Sequence, residues 1–115
     1  MNENSNYILV ISKDTLGNGS EDLGQILLKS YINAYLEIDH KPTHIIFLNK
    51  GVFLVANDSN VVEDLKYLEK EGVKLLACGT CLNYFELEDK LQVGEKSNMK
   101  EIVRILSTTD KVIDL

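Results

Sequence analysis

The sequence of 115 residues lacks tryptophan, contains a single proline, and has only one arginine, Arg104, among its twelve basic residues. Its eighteen acidic residues bring the formal net charge to −6. Because an acidic surface repels the phosphate backbone, we do not expect nucleic acid as a partner. The lack of a basic cluster argues in the same way against an anionic membrane surface.

Long hydrophobic runs are also missing. No apolar run approaches the roughly 20 residues that cross a bilayer, and residues 1–6 lack the basic and apolar segments of a signal peptide. We therefore expect a cytoplasmic protein with no membrane partner. The composition, 44% hydrophobic and 26% charged, is typical of a globular protein. The length fits one domain that spans residues 1–115.

Five short segments have the character of β-strands. Three of them are continuous apolar runs, which are typical of strands covered on both faces of a sheet. The fourth is brief, and the fifth is expected at an edge of the sheet. In chain order the five segments are residues 7–11, 44–48, 73–78, 91–93 and 111–115.

Four segments between these strands carry apolar residues at helical spacing, and the first of them is expected to extend to Ile38. Their first residues are expected just after Ser20, after Asp58 or Ser59, near Cys81, and after Ser97 or Asn98. Residues 52–56 are apolar but too few for periodicity to distinguish strand, turn and helix. The alternation predicts an α/β fold, a three-layer α/β/α sandwich with a mostly parallel sheet of about five strands.

Three loops are expected to meet at one edge of this sheet, because ligands of such folds bind outside the carboxyl ends of the strands. The loops are residues 12–19, 49–52 and 78–81, and each contains glycine. We expect them to form a pocket lined by Gly17, Asn18, Gly19, Asn49, Gly51, Gly79 and Thr80.

Both cysteines of the chain lie in the last of these loops, as the C-x-x-C motif of Cys78 and Cys81. A cysteine reacts as its thiolate, and a helix N-terminus near Cys81 favours that form. Cys78 is close enough for a disulfide if the turn geometry permits, and Gly79 allows a tight turn. The alternative is that both are small buried residues without chemistry.

No metal or other cofactor is predicted. A structural zinc ion needs four ligands, and there is no second cysteine pair. His40 and His44 are expected at the opposite end of the sheet. The spacing of Gly17 and Gly19 fits neither common phosphate-binding motif.

Several segments together make the sequence resemble the DsrE/DsrF-like family of small sulfur-handling proteins. They are Leu16-Gly17-Asn18-Gly19, Phe47-Leu48-Asn49-Lys50-Gly51-Val52, Leu76-Ala77-Cys78-Gly79-Thr80-Cys81-Leu82, and Val93-Gly94 followed by Ser97-Asn98-Met99-Lys100-Glu101-Ile102. Within the family, the sequence is most similar to the DsrE-like domain of the YedF group, which is described as sulfurtransferase-like and linked to selenium metabolism.

The resemblance implies a DsrE-like domain that forms homo-oligomers and relays sulfur or selenium. It implies that Cys78 carries the sulfur as a persulfide. We expect Cys78 to attack the donor, and Cys81 to tune the pKa of Cys78 or to resolve the product as a disulfide. Asn49, Thr80 and the backbone near Gly17 and Gly51 are then expected to hydrogen bond the anionic sulfur.

The sequence departs from the family pattern in two ways. Many relatives have Arg-Gly where this chain has Phe85-Glu86, so an anion contact from that arginine is missing. Members of the YedF group often carry an N-terminal TusA-like domain with its own cysteine, whereas no cysteine precedes Cys78 here. We therefore expect the partner to be another protein, a TusA-like sulfur carrier or a cysteine desulfurase.

Two other functions remain open at this stage. The C-x-x-C motif alone is also typical of a thiol–disulfide redox module. A non-catalytic oligomeric binding module, with both cysteines in its core, is the third interpretation. Whether the chain is an enzyme or only a carrier is equally open.

Overall fold

The computed structural model describes residues 5–115, so the prediction about the N-terminal residues falls partly outside the described part of the chain. The described elements alternate between strands and helices. They are β1 (Tyr7–Ile11), α1 (Glu21–Ala34), β2 (His44–Phe47), α2 (Val62–Lys70), β3 (Lys74–Cys78), α3 (Gly79–Tyr84), β4 (Glu95–Ser97), α4 (Met99–Thr108) and β5 (Lys111–Asp114), with 3₁₀ helices at Tyr35–Glu37 and Asn49–Val55.

The five strands form one parallel sheet in the order β4-β3-β2-β1-β5. The chain moves in one direction from β1 to β4 and then returns across the sheet to β5. Right-handed crossovers therefore place α4 on the face opposite the earlier helices. The predicted three-layer α/β/α fold with a parallel sheet of five strands is confirmed.

One face of the sheet carries most of the core. Leu9, Ile45 and Leu75 lie on neighbouring strands and are buried beneath α1 and α2, whose Leu28 and Leu65 are also buried. Burial of each such side chain stabilises the fold by about 1.5–3 kcal/mol relative to exposure. These apolar contacts hold the strands in the parallel register that brings their carboxyl ends together.

The opposite face has a smaller core, which α4 covers in the described part of the chain. Ile8, Val10 and Ile46 pack there with Ile102 of α4. Cys78 belongs to this smaller cluster. The end of β3 that carries the cysteine is therefore shielded by α4.

The fourth strand differs from its prediction at residues 91–93. Leu91 instead forms an isolated antiparallel bridge with Ala56, and Val93 is buried in the larger core. Gly94, with φ of +80°, turns the chain so that Glu95–Ser97 pairs with β3. The apolar character of 91–93 reflects core packing, whereas the strand itself is a short and mostly polar edge strand.

Residues 49–55, which include most of the undecided segment, form a 3₁₀ helix that packs tightly against β1. Gly51 lies at the contact, where a Cβ atom would come 2.1 Å from the carbonyl oxygen of Ile11. Real Cβ atoms do not approach an oxygen so closely, so the contact requires glycine. This close approach positions Asn49 at the carboxyl edge of the sheet.

The predicted caps of α1 and α4 are confirmed. Ser20 accepts a hydrogen bond from the N–H of Leu23, and Asn98 accepts one from the N–H of Glu101. α1 ends at Ala34, and the 3₁₀ helix that follows leaves Ile38 outside. α2 begins at Val62, later than predicted, because the polar residues before it form turns.

Candidate functional site: a cysteine pair at the end of β3

Cys78 is the last residue of β3 and directly precedes α3. Its exposure is 2%, and its neighbours in the smaller core include Ile8, Ile46 and Ile102. Cys78 has extended backbone geometry, with φ of −61° and ψ of 122°. The side chain therefore points into the apolar layer under α4, and solvent does not reach it.

Cys81 lies in the first turn of α3 and is partly exposed. Its Sγ accepts a hydrogen bond of 3.1 Å from the backbone N–H of Asn49. Asn49 has φ of +50°, a left-handed conformation that asparagine tolerates better than most residues. The start of the 3₁₀ helix thus supplies a donor directly to the exposed sulfur.

The two cysteines approach each other to within 3.3 Å. Both are free thiols. A disulfide bond is about 2 Å long, so the two side chains must move closer before such a bond can form. The chain turns from strand to helix at Gly79, and this turn brings the two cysteines together.

Burial raises the pKa of the Cys81 thiol above its ordinary value. The N–H of Asn49 opposes this effect and lowers the pKa, while the neighbouring Cys78 thiol raises it further. The expectation that the helix N-terminus would lower the pKa of Cys81 is therefore not met, because desolvation outweighs the donors. The free protein keeps this sulfur protonated at neutral pH.

Cys81 is one of the residues that line an open cleft of about 510 Å³. Phe85 forms part of its wall and contacts the ring of Phe53, with ring centroids 4.9 Å apart. Tyr84, also in the wall, is 79% exposed. The residues that line this cysteine cleft are Asn49, Lys50, Thr80, Cys81, Tyr84 and Phe85.

Of the pocket residues predicted from sequence, Asn49 and Thr80 line the cysteine cleft. Gly79 lines a neighbouring depression of about 460 Å³, which shares Thr80 and Tyr84 with the cleft. Gly51 lies beneath, against β1. These residues are brought together with the cysteines by the ends of β2 and β3.

The loop of Gly17, Asn18 and Gly19 does not line the cysteine cleft. Gly17 and Gly19 have φ of +84° and +122°, and a Cβ at either position would meet open space. Asn18 accepts a hydrogen bond of 3.4 Å from Lys13 Nζ. The structure therefore gives this loop the role of a turn that leads from β1 into α1.

Sequence reasoning missed Lys50 as a cleft residue. Lys50 follows Asn49 directly, so its place depends on the conformation of residues 49–55, which periodicity did not resolve. A separate depression of about 270 Å³, between α1 and residues 57–61, contains no cysteine or histidine. We place the candidate site at the cysteines for that reason.

The histidines lie far from the cysteine cleft. His44 begins β2 and pairs with the first residue of β3, whereas Cys78 is the last. His40 Nε2 is 2.8 Å from the carbonyl oxygen of Ser5. Residues 5–115 contain no group of three or more side chains placed to hold a metal ion. Over the same residues, no helix has the length and apolar character needed to cross a membrane.

The chain is a parallel α/β/α sandwich with a cysteine pair at the end of a strand. Comparison with known families identifies the family within this class of proteins. The model of the DsrE/DsrF-like family matches residues 6–115, and the chain belongs to this family. None of the curated proteins compared with the chain matches it significantly.

Solved structures share the fold. The ychN protein of Escherichia coli is 17% identical, with a TM-score of 0.71 over 96% of this chain and 99% of that one. A protein of unknown function from Methanobacterium thermoautotrophicum is 20% identical, with a TM-score of 0.69 over 97% and 100% of the two chains. A conserved protein of unknown function from Bacteroides thetaiotaomicron is 18% identical, with a TM-score of 0.66 over 96% and 95%. At these identities the likeness concerns the fold.

Proposed function

We propose that this chain is a cytoplasmic sulfur or selenium relay domain of the YedF type, which carries a persulfide on its cysteine pair and passes it to a partner protein. The observation that carries the proposal is the approach of Cys78 to within 3.3 Å of Cys81, which lines an open cleft. A pair held this close offers one sulfur to a donor and a second sulfur to complete or reverse the reaction.

One contact of Cys81 favours an anionic sulfur. The N–H of Asn49 donates to its Sγ, and such donors favour a charged acceptor. Lys50 adds a positive charge to the cleft wall, while Tyr84 and Phe85 supply apolar surface. A persulfide bound there gains a hydrogen bond and is partly shielded from water.

Sulfur transfer from a donor persulfide to such a site requires no external oxidant or reductant. A cysteine thiolate attacks the outer sulfur of a donor persulfide and forms a new S–S bond. The bond between the two donor sulfurs breaks, and the donor cysteine leaves as its thiolate. Delivery to an acceptor repeats the same step with the roles exchanged.

The proposed partners are a cysteine desulfurase as donor and a TusA-like sulfur carrier as the protein with which sulfur is exchanged. Both carry their sulfur on a protein cysteine, which an open cleft at the sheet edge admits more readily than a closed pocket. We also propose that the domain forms a homo-oligomer, and light scattering of the purified chain measures that directly.

Mass spectrometry after incubation with a cysteine desulfurase and cysteine tests the relay. We expect the wild-type chain to gain the mass of a sulfur atom, and the double variant Cys78→Ser/Cys81→Ser to gain none. Reduction with a dithiol should remove the added mass. A wild-type chain that stays unmodified while the desulfurase is active would contradict the relay function.

The second candidate is a thiol–disulfide redox module, favoured by the same approach of the two free thiols. Here the pair loses two electrons and two protons to a disulfide substrate and forms the Cys78–Cys81 bond. Titration in glutathione buffers should then show a reversible disulfide while circular dichroism stays native. Oxidation that occurs only after unfolding would exclude this function.

A further inference from the structure

The two cysteines of the pair differ sharply in their access to solvent. Cys78 is 2% exposed and packs in the smaller core with Ile46 and Ile102. Cys81 is partly exposed and lines the cleft with Thr80. A donor sulfur on another molecule therefore reaches Cys81 without any rearrangement, whereas Cys78 requires α4 or the strand end to move.

The position of the hydrogen-bond donor supports the same distinction. The N–H of Asn49 donates to the sulfur of Cys81. Within residues 5–115, no backbone N–H donates to the sulfur of Cys78 in the same way. The neighbours of Cys78 in the smaller core are apolar. The backbone donor that favours an anionic sulfur is thus at the cysteine in the cleft.

We propose that Cys81 is the thiol that exchanges sulfur with partner proteins, and that Cys78 reacts only with Cys81. This division of roles rests on the proposed relay function. It differs from the roles that the family resemblance implies, in which Cys78 attacks the donor first. The burial of Cys78 is the reason for the difference.

In the loading step, the Cys81 thiolate attacks the outer sulfur of a donor persulfide. The new bond joins Cys81 to that sulfur, and the donor thiolate leaves. The carried sulfur then lies in the cysteine cleft, where an acceptor thiolate attacks it and releases Cys81 unchanged. Cys78 takes no part in this productive cycle.

When no acceptor arrives, Cys78 removes the carried sulfur from Cys81. Its thiolate attacks the inner sulfur of the Cys81 persulfide, so that the Cys78–Cys81 bond forms and the bond to the outer sulfur breaks. The outer sulfur leaves as hydrosulfide. A dithiol reductant then supplies two electrons and two protons and restores both thiols. The 3.3 Å approach of the cysteines makes this attack local.

Loading with glutathione persulfide, followed by alkylation and peptide mapping, tests the division of roles. In the wild-type chain the earliest persulfide should map to Cys81, and about one hydrosulfide per chain should follow as the disulfide forms. Cys78→Ser should accumulate the Cys81 persulfide and release at least roughly tenfold less hydrosulfide. Cys81→Ser and Cys81→Ala should load at least roughly tenfold more slowly than the wild type.

The outcomes separate the inference from the function on which it rests. If Cys81→Ala, shown to be folded by circular dichroism, loads on Cys78 at the wild-type rate, the division of roles is wrong and the relay stands. An earliest wild-type persulfide on Cys78 overturns it equally, and this result requires no variant to fold. If no form of the chain gains sulfur from either glutathione persulfide or a desulfurase, the relay function itself fails.

Discussion

At the scale of single residues, the chemistry of the site depends on the contact between Cys81 and the backbone of Asn49. The N–H reaches the sulfur at 3.1 Å from a residue with φ of +50°. Its effect on the pKa of Cys81 is opposed by burial, which is the larger cause. A small change in either the donor or the burial therefore changes the fraction of thiolate.

Replacement of Asn49 by alanine tests this contact. Alanine in the left-handed region costs roughly 1–2 kcal/mol, so we expect the backbone at position 49 to relax and the N–H to leave the sulfur. The pH profile of Cys81 alkylation should shift to higher pH. Asn49→Gly is the matched control, because glycine adopts the same φ freely and should keep the profile. Identical profiles for alanine and the wild type would show that the donor is unimportant.

The raised pKa of Cys81 also predicts a dependence of stability on pH. The folded chain holds the thiol proton more tightly than the unfolded chain, whose cysteine pKa is about 8.5. This contribution is complete below that pH and is lost as the pH rises through the higher folded pKa. Urea unfolding between pH 7 and 10 should therefore show a steeper alkaline loss for the wild type than for Cys81→Ser. A constant difference between the two proteins would contradict the assignment.

At the scale of elements, the 3₁₀ helix Asn49–Val55 connects the sheet to the site. Its Gly51 touches β1 so closely that a Cβ atom would lie 2.1 Å from the carbonyl oxygen of Ile11. The N–H of Gly51 also donates to the carbonyl oxygen of Leu48 at 2.8 Å. Tight packing at this point fixes where Asn49 begins the helix, two residues earlier.

Gly51→Ala should therefore destabilise the fold and disturb the site together. Overpacking of this kind costs typically 1–3 kcal/mol, and we expect a value at the upper end because the clash is with the backbone. Gly17→Ala is a suitable comparison, since its φ of +84° is strained but a Cβ there meets open space. Urea unfolding should rank Gly51→Ala as the more destabilised variant. A smaller loss for Gly51→Ala than for Gly17→Ala would contradict the close approach.

Some of the elements could be predicted from the sequence and others could not. Continuous apolar runs such as Tyr7–Ile11 identified the buried strands, and Ser20 and Asn98 marked helix starts, because both signals are local. The edge strand Glu95–Ser97 has no apolar pattern, since its pairing is decided by the neighbouring β3. The 3₁₀ conformation of residues 49–55 also has no periodic pattern in the sequence. The position of Lys50 in the cleft wall depends on that conformation and was therefore not predicted.

At the scale of the whole molecule, the sheet is covered unequally. Within residues 5–115, three helices and the 3₁₀ helix at 49–55 cover one face, while α4 is the main cover of the other. Ile102 of α4 is 1% exposed and packs in the same cluster as Cys78. The accessibility of the buried cysteine therefore depends on how firmly this one helix is held.

Truncation of Ile102 to alanine tests the shielding role of α4. Removal of a fully buried isoleucine costs about 2–5 kcal/mol, and the loosened helix should expose Cys78 to alkylation. Val103 on the same helix is 53% exposed, so Val103→Ala should change the unfolding free energy by no more than about 0.5 kcal/mol. Unchanged alkylation of Cys78 in Ile102→Ala would show that α4 does not protect it.

The overall architecture was predictable because alternating strands and helices allow few arrangements. The meeting of Asn49, Thr80 and the cysteines at one edge of the sheet followed from that architecture. The unequal exposure of Cys78 and Cys81 did not, because it depends on which face α4 covers and on the turn at Gly79. The face that α4 covers has no signal in the local sequence.

The rates at which the two cysteines of the native wild-type chain react with iodoacetamide, read separately by peptide mapping, test the central claim most directly. We expect Cys81 to react at least roughly tenfold faster than Cys78, and the two rates to converge in urea. Native chains in which both thiols resist labelling would support a non-catalytic module with core cysteines. A faster Cys78 would contradict the arrangement in which Cys81 faces the cleft and Cys78 lies behind it.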